Sequence, residues 1–215
     1  MLMRLTVPEK INRKAWLARL GTPEDRSLDI RMSEAEHTLL DLSDPRGVYV
    51  YADIGEIDLP GEAIKKHLKG CGRMVLMAVT LGPGADTAIR KEAARDMAMS
   101  VFLDSGASVL AEQECDIMCE EIQKSLPRET PFMTGRYSPG YGDLPLETQD
   151  ILAVKLDAAK KIGLTVTASH LMIPRKSVTA VMGIADHPVS GYLAVCSECA
   201  LKDTCELRKA GRVCG

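Results

Sequence analysis

The sequence predicts an α+β fold, and three observations carry that prediction. The predicted elements lack the regular strand–helix alternation of a doubly wound sheet. Their order is helices, strands, long helices, an irregular loop, a further helix and further strands. Residues 73–81 form a nearly continuous apolar run of strand length, typical of a central strand buried on both faces. From Ala85 to about Ser125, small and apolar residues recur at helical spacing and predict the longest helical region.

The part of the chain before the apolar run is predicted to hold helices around one strand. Gly21 is a natural C-cap for the first helix, since glycine tolerates the left-handed backbone there. Ser33 and Glu36 have capping-box spacing and predict the start of the second helix. The expected elements are helices over residues 9–20, 33–42 and 60–68 and a strand over residues 47–59.

The part after the long helical region begins with a segment rich in Pro, Gly and Thr, which we interpret as an irregular loop. A helix with regularly spaced apolar residues should follow, and then β-like segments rich in Val, Thr and Ile. These predictions cover the loop 126–144, the helix 145–162 and strands within 164–174, 177–185 and 191–195.

Composition excludes several classes of protein. With 215 residues, 46% apolar and 27% charged, the chain fits one compact domain with a small appendage. A net charge of −3 and the lack of a basic run argue against nucleic-acid binding. No run of 18 apolar residues is present and the start lacks an apolar signal core, so we expect a cytoplasmic protein without a membrane span.

Four of the seven cysteines crowd into the last 20 residues. Their spacing is C-x2-C-x5-C-x8-C, and four thiolates in so short a span suit an iron–sulfur cluster or Zn²⁺. We favour a [4Fe–4S] cluster, with zinc as the first alternative and free thiols or disulfides as the second. The predicted ligands are Cys196, Cys199, Cys205 and Cys214.

Three segments could hold a small ligand. Residues 80–86, TLGPGAD, place glycines at a strand-to-helix turn, where backbone N–H groups could approach an anion; a tight turn is the alternative. Residues 136–141, RYSPGY, combine a cation able to grip a carboxylate, two aromatic rings and a turn; a surface loop is the alternative. The acidic helix 110–121 is mostly a solvated face, of which one residue could point inward and meet an ammonium group.

Arg136, Gly140 and Tyr141 match the Arg-x-x-x-Gly-Tyr signature of the activation domain of cobalamin-dependent methionine synthase, which this chain resembles. That family binds S-adenosylmethionine. The stretch 164–195 is similar to a second family segment, including its His-Pro-x-Ser-x-Tyr-x-Ala-Val end, and residues 110–112 resemble the helix that bears an acidic ligand-binding residue.

Together with the element order, the resemblance implies a mainly antiparallel twisted sheet with helices packed on it. It gives an activation-like domain over residues 1–195 and a four-cysteine tail over residues 196–215. The chain has no room for the homocysteine, folate and cobalamin modules of the large enzyme, so it resembles the small stand-alone activation-like proteins.

The resemblance also implies how the ligand is held. Arg136 would pair with the carboxylate of S-adenosylmethionine and Glu112 would meet its ammonium. The adenine and the sulfonium would be held by the backbone of Ser138 and Gly140 and by the rings of Tyr141 and Tyr192, respectively. The cobalamin would belong to a partner corrinoid methyltransferase, and the cysteine tail could supply the electron that reactivation needs.

One departure from the family opens two alternatives. The family usually continues after its tyrosine with a Cys-Pro-Asp-His-like stretch, whereas residues 142–148 here read GDLPLET. The protein could therefore be a non-catalytic ligand-binding or scaffold protein with the same fold. It could also be an iron–sulfur electron-transfer partner of a corrinoid protein.

Overall fold

The computed structural model describes residues 1–23 and 25–189, and within them a five-stranded sheet carries the helices. The strand order is β1-β2-β3-β7-β4, and every neighbouring pair is antiparallel. A separate two-stranded hairpin, β5-β6, lies outside it. The strands are β1 (Leu2–Arg4), β2 (Arg46–Asp53), β3 (Arg73–Thr80), β4 (Phe132–Met133), β5 (Thr165–Val166), β6 (Met172–Ile173) and β7 (Ser177–Ala185). The predicted α+β class and antiparallel sheet are confirmed.

The apolar run forms β3, the middle strand of the sheet. It pairs with β2 on one side and with β7 on the other, and only Arg73 among its residues is exposed. Alternate residues face opposite layers, because successive side chains of a strand point to opposite faces. Leu76 contributes to the core on one face and Met77 to the core on the other.

Seven α-helices occur in the described residues, and they cover both faces of the sheet. Helices α3, α6 and α7 contribute to the core on one face, and the C-terminal half of α5 packs on the other. The N-terminal half of α5 joins α1, α2 and α4 in a separate helical core. The helices are α1 (Arg13–Leu20), α2 (Asp29–Leu42), α3 (Glu62–His67), α4 (Pro83–Ala93), α5 (Met97–Ser125), α6 (Thr148–Leu156) and α7 (Ala158–Ile162).

A close helix crossing fixes α1 on α5. The ring of Trp16 lies against Gly106, where an added Cβ would stand 2.5 Å from a ring carbon. The indole Nε1–H of Trp16 donates to Ser105 Oγ at 2.9 Å, which satisfies the polar end of a side chain that is 2% exposed. Gly106 therefore permits a crossing and does not break α5.

Several predicted boundaries are wrong, each for an identifiable reason. Ser33 lies inside α2 rather than at its start, and the Glu36 carboxylate accepts the N–H of Ile11 at 2.7 Å. The long helical region is two helices, because Asp96 caps a new one by accepting the N–H of Met99. The predicted helix 145–162 is interrupted at Asp157, whose φ of 53° is left-handed.

The segment predicted as an irregular loop also makes regular contacts with the sheet. It contributes the short strand β4 and an isolated antiparallel bridge between Tyr137 and Val181 of β7.

None of the described helices is long and apolar enough to cross a membrane.

Candidate functional site

Arg136 is the centre of the candidate site, and it lies between two carboxylates of α5. Its Nη2 donates to Glu112 Oε2 at 2.8 Å, and its Nη1 donates to Asp116 Oδ1 at 2.6 Å. The two acidic residues are four apart, so they share one helix face. The guanidinium side chain is 22% exposed, against 52% for Glu112 and 66% for Asp116, so the cluster lies at the surface with its cation half-buried.

Sulfur atoms line the inner side of this cluster. Arg136 Nη1 lies 3.7 Å from the Sγ of Cys119, and that sulfur lies 3.6 Å from the Sδ of Met182. Burial raises the pKa of the Cys115 and Cys119 thiols, although the nearby guanidinium opposes that shift. The floor of the site is therefore neutral and apolar, and the charges lie on the outer side.

The loop that carries Arg136 is fixed to β7 by backbone hydrogen bonds. Thr134 N–H donates to Gly183 O at 2.9 Å, and Tyr137 exchanges two bonds of 2.9 Å with Val181. The Oγ1 of Thr134 accepts the N–H of Gly183 and lies 2.8 Å from the Nε2 of His67. Arg136 is thus held between two residues that pair with the sheet.

His67 lies beneath this loop, in the core. It is 1% exposed, its Nε2 lies 3.0 Å from the carbonyl oxygen of Gly135, and its ring contacts that of Tyr137 at 5.0 Å between centroids. Burial lowers the pKa of the imidazole, which favours the neutral form. His67 therefore helps hold the loop from below.

In the turn after Arg136, several backbone N–H and C=O groups already form hydrogen bonds with one another. Gly140 N–H donates to Leu144 O at 2.9 Å, and Tyr141 N–H donates to Ser138 O at 3.2 Å. Ligand contacts from the backbone of Ser138 and Gly140 would have to share these groups or use others. Tyr141 is 51% exposed and lies at the surface of the turn.

The segment that departs from the family sequence ends in an anchored aspartate. The carboxylate of Asp143 accepts the N–H groups of Glu62 at 2.7 Å and Ala63 at 3.0 Å, at the start of α3. Gly142 has a φ of 56°, and an added Cβ would stand 2.3 Å from the hydroxyl of Tyr137. The altered sequence is therefore an ordered support for the turn.

Glu114 is the acidic residue of α5 that points inward, and it does not reach Arg136. Its side chain is completely buried, and neither carboxylate oxygen has a hydrogen-bond partner in the described part of the chain. Burial raises its pKa to about 7. The ligand-ammonium role predicted for an inward acidic residue does not fit Glu114, whereas Glu112 lies at the surface beside Arg136.

The glycine turn at residues 80–86 forms a tight junction in the fold. Gly82 caps α4 with a φ of 76°, and its N–H donates to the Thr80 hydroxyl. Gly84 packs on the backbone of Leu42 with no room for a Cβ. Asp86 occupies the first turn of α4 and accepts the N–H of Arg175 at 2.6 Å, so the helix start already carries an acidic group.

The remaining predicted site residues lie outside the described part of the chain. Residues 190–215 are not described, and they include Tyr192 and the four tail cysteines Cys196, Cys199, Cys205 and Cys214. Within residues 1–23 and 25–189, no group of three or more His, Cys, Asp or Glu side chains is arranged to hold a metal ion.

The family of the chain follows from a sequence comparison. The family model for the activation domain of vitamin B12-dependent methionine synthase matches residues 64–203. The chain belongs to this family. The matched part contains Glu112, the whole Arg136–Tyr141 segment and Tyr192, and it ends before Cys205. A search of curated proteins found none that matches.

A solved structure agrees on the fold. The crystal structure of the MetH reactivation domain bound to AdoHcy matches with a TM-score of 0.61 and 17% sequence identity. The match covers 94% of this chain and 82% of that one, so it extends over the N-terminal helices that the family model leaves out. At this identity the likeness establishes the activation-domain fold.

Sequence reasoning identified Arg136 and Glu112 but missed several of their neighbours. Asp116 was grouped with the solvated acidic face, although its spacing of four from Glu112 indicates a shared face. Cys115 and Cys119 have the same spacing on the adjacent, inward face. No sequence pattern predicts that His67 contacts the loop, because this contact depends on tertiary packing alone.

Proposed function

We propose that this activation-domain protein binds S-adenosylmethionine at Arg136 and serves the reductive methylation of a cobalamin held by a partner protein. The observation that carries the proposal is the pairing of Arg136 with Glu112 in a half-buried surface cluster. A cation and a carboxylate side by side complement the carboxylate and the ammonium of an amino-acid ligand. The AdoHcy bound in the solved relative contains the same amino-acid group.

The chain's own part in the reaction would be to bind and orient. Arg136 would grip the ligand carboxylate, Glu112 would accept from the ammonium, and Tyr141 would flank the sulfonium from the exposed turn. Tyr192 and the backbone of Ser138 and Gly140 remain proposed contacts to the sulfonium side and the adenine. The methyl group would pass from the sulfonium to the reduced cobalt of the partner, and S-adenosylhomocysteine would leave.

Calorimetry with S-adenosylmethionine tests the binding site. Arg136→Ala should weaken binding roughly tenfold to a hundredfold, because it removes charge-assisted hydrogen bonds worth about 1.5–3 kcal/mol. Arg136→Lys should recover only part of the affinity, since an ammonium cannot make the paired contact of a guanidinium. Arg73→Ala is the matched control, because Arg73 pairs with Asp53 on another part of the surface. No binding by the wild-type protein, or unchanged affinity in Arg136→Ala, contradicts the proposal.

A second arm tests the partner. A cobalamin-binding methyltransferase protein should acquire a methyl group from labelled S-adenosylmethionine under reducing conditions when this protein is present. Binding of the ligand without methyl transfer to cobalamin would instead support the alternative of a non-catalytic ligand-binding or scaffold protein. The segment after Tyr141, which departs from the family, supports that alternative.

A further inference from the structure

We propose that Cys119, Met77 and Met182 form a binding site for a soft monovalent metal ion, Cu(I), beneath Arg136. The three side chains come from three different elements, α5, β3 and β7, respectively. The proposed site concerns a different ligand from S-adenosylmethionine, so it does not depend on the proposed function.

The core between α5 and the sheet is rich in sulfur. Its sulfur-bearing side chains are Met3, Met77, Cys115, Met118, Cys119, Met133 and Met182. Within this core, the Sγ of Cys119 lies 3.6 Å from the Sδ of Met182 and 3.9 Å from the Sδ of Met77. Both methionines are completely buried, and Cys119 is half-buried. One thiol and two thioethers therefore converge at the inner side of the surface cluster around Arg136.

The sheet and the long helix position these three side chains. Met77 pairs with Ala180 and Met182 pairs with Val75, so the two methionines are diagonal neighbours on one face of β3 and β7. Cys119 meets that face from α5. Methionine side chains are unbranched and flexible, so small rotations of their ends can adjust the sulfur positions without moving the backbone.

The distances between the sulfur atoms suit a shared metal ion. Metal–sulfur bonds of about 2.3 Å place two ligand sulfurs about 3.8–4.0 Å apart at the angles of a tetrahedral or trigonal site. The two distances from Cys119, 3.6 Å and 3.9 Å, lie close to this range. One ion can therefore contact the Cys119 sulfur and both methionines after small side-chain adjustments.

The chemistry of the donors selects Cu(I). Thiolate and thioether sulfurs are soft ligands, which Cu(I) prefers. One thiolate and two neutral thioethers around Cu(I) give a group without net charge, which a buried apolar site tolerates. Zn²⁺ at the same site would keep one positive charge, and its usual protein ligands are thiolate, imidazole and carboxylate rather than thioether.

Cys119 gives the site its connection to the surface. Its Sγ lies 3.7 Å from the Nη1 of Arg136, whose side chain is 22% exposed. Binding forms copper–sulfur bonds and releases the thiol proton to solvent, and the copper remains Cu(I) throughout. Arg136 can continue to donate to the bound sulfur from the outer side.

X-ray absorption of copper-treated, selenomethionine-labelled protein tests the site directly. The whole chain is prepared without oxygen, treated with Cu(I) and freed of unbound metal. Because residues 190–215 contain no methionine, copper held by the tail cysteines gives no copper–selenium bond. We expect copper–selenium bonds from two methionines at one copper ion. Copper retained without selenium neighbours, or no copper retained at all, overturns the proposal.

Substitutions identify the ligands. Met77→Leu and Met182→Leu keep an apolar side chain of similar volume, so each should fold and should halve the copper–selenium signal. Cys119→Ala should abolish it. Met118→Leu is the matched control, because Met118 lies in the same core with its sulfur against Gly47 and should leave the signal unchanged. An unchanged signal in Met77→Leu or Met182→Leu removes that residue from the site.

Competition with a coloured Cu(I) chelator measures affinity. The wild-type protein should hold the selenium-linked copper at least roughly tenfold more tightly than Met182→Leu, since even groups that only support a metal ligand are worth about 10–100-fold in affinity. Excess Zn²⁺ should leave the copper–selenium bonds in place, and their replacement by zinc would overturn the assignment to Cu(I). Equal affinity in the wild type and Met182→Leu would show that the sulfur contacts are ordinary core packing.

Discussion

Glu114 is a carboxyl group in a buried environment that disfavours its charged form. A carboxyl group with no hydrogen-bond partner in the described chain is costly to ionise when it is completely buried, which is why its pKa rises to about 7. In the unfolded chain the ordinary value of 4.5 applies. Between these two values the folded state keeps a proton that the unfolded state releases, so stability falls as pH rises through this window.

The free energy of unfolding should therefore be lower at pH 8 than at pH 5, by about 2.5 kcal/mol from this group alone. Glu114→Gln cannot ionise and should lose that part of the pH dependence, so it should be the more stable protein at pH 8. Urea denaturation at both pH values measures the difference. Glu120→Gln, on the exposed side of the same helix, should retain the wild-type dependence. Parallel pH profiles for Glu114→Gln and the wild type would show that folding does not shift the pKa of Glu114.

At the scale of elements, the short helix α3 and the turn at residues 138–144 support each other. Glycine precedes α3 and offers no side-chain cap, so the carboxylate of Asp143 takes that place from 80 residues further along the chain. Although burial opposes it, hydrogen bonding from the N–H groups of Glu62 and Ala63 lowers the pKa of Asp143. The cap also fixes the end of the turn that presents Tyr141.

Asp143→Ala should destabilise the protein by about 1 kcal/mol, the usual effect of removing a helix cap. It should also weaken binding of S-adenosylmethionine if the turn contributes to the site. Thermal unfolding and calorimetry on the same sample measure the two effects. Asp58→Ala, an exposed aspartate just before α3, is the control and should change neither. A stability loss without any change in affinity would remove the turn from the binding site.

Elements with strong local signals could be predicted from the sequence, and elements set by tertiary contacts could not. The apolar run at residues 73–81 predicts β3, and the Val- and Thr-rich segment 177–185 predicts β7 with the ends that the structure shows. The interruption at Asp157 went unpredicted, because an isolated aspartate in a helical pattern rarely adopts a left-handed backbone. Strand β4 has only two residues and depends on its partner β7.

The same distinction holds for the candidate site. Arg136 is predicted by the family signature and Glu112 by the resemblance of residues 110–112, and both patterns record only residue types along the chain. Their pairing with each other depends on how α5 is rotated against the loop after β4, and no local pattern specifies that rotation. For the same reason the spacing of the acidic residues on α5 could not show that Glu114, and not Glu112, is the one in the core.

At the scale of the whole molecule, the four-cysteine tail remains a prediction. It follows β7, and Ala185 at the end of that strand lies four residues, or about 13 Å, beyond Val181, which pairs with the site loop. The spacing of Cys196, Cys199, Cys205 and Cys214 suits an iron–sulfur cluster or zinc.

We expect protein purified without oxygen to contain iron and acid-labile sulfide and to absorb visible light. Cys199→Ser should lose both, because each thiolate of a four-cysteine site is a ligand. Cys71→Ser is the control, since Cys71 is a free thiol in the described part of the chain. One zinc per chain without iron or sulfide would remove any electron-transfer role for the tail.

The pairing of β3 with β7 has a consequence for how the protein is made. Thr80 and Ser177 are 97 residues apart, so at about 5–20 residues per second a ribosome needs roughly 5–20 seconds to supply the missing neighbour. Until then the most apolar strand of the chain has one open edge, which is a template for aggregation. The loop that bears Arg136 is synthesised before the strand that anchors it, so the nascent chain cannot complete the candidate site until β7 has left the ribosome.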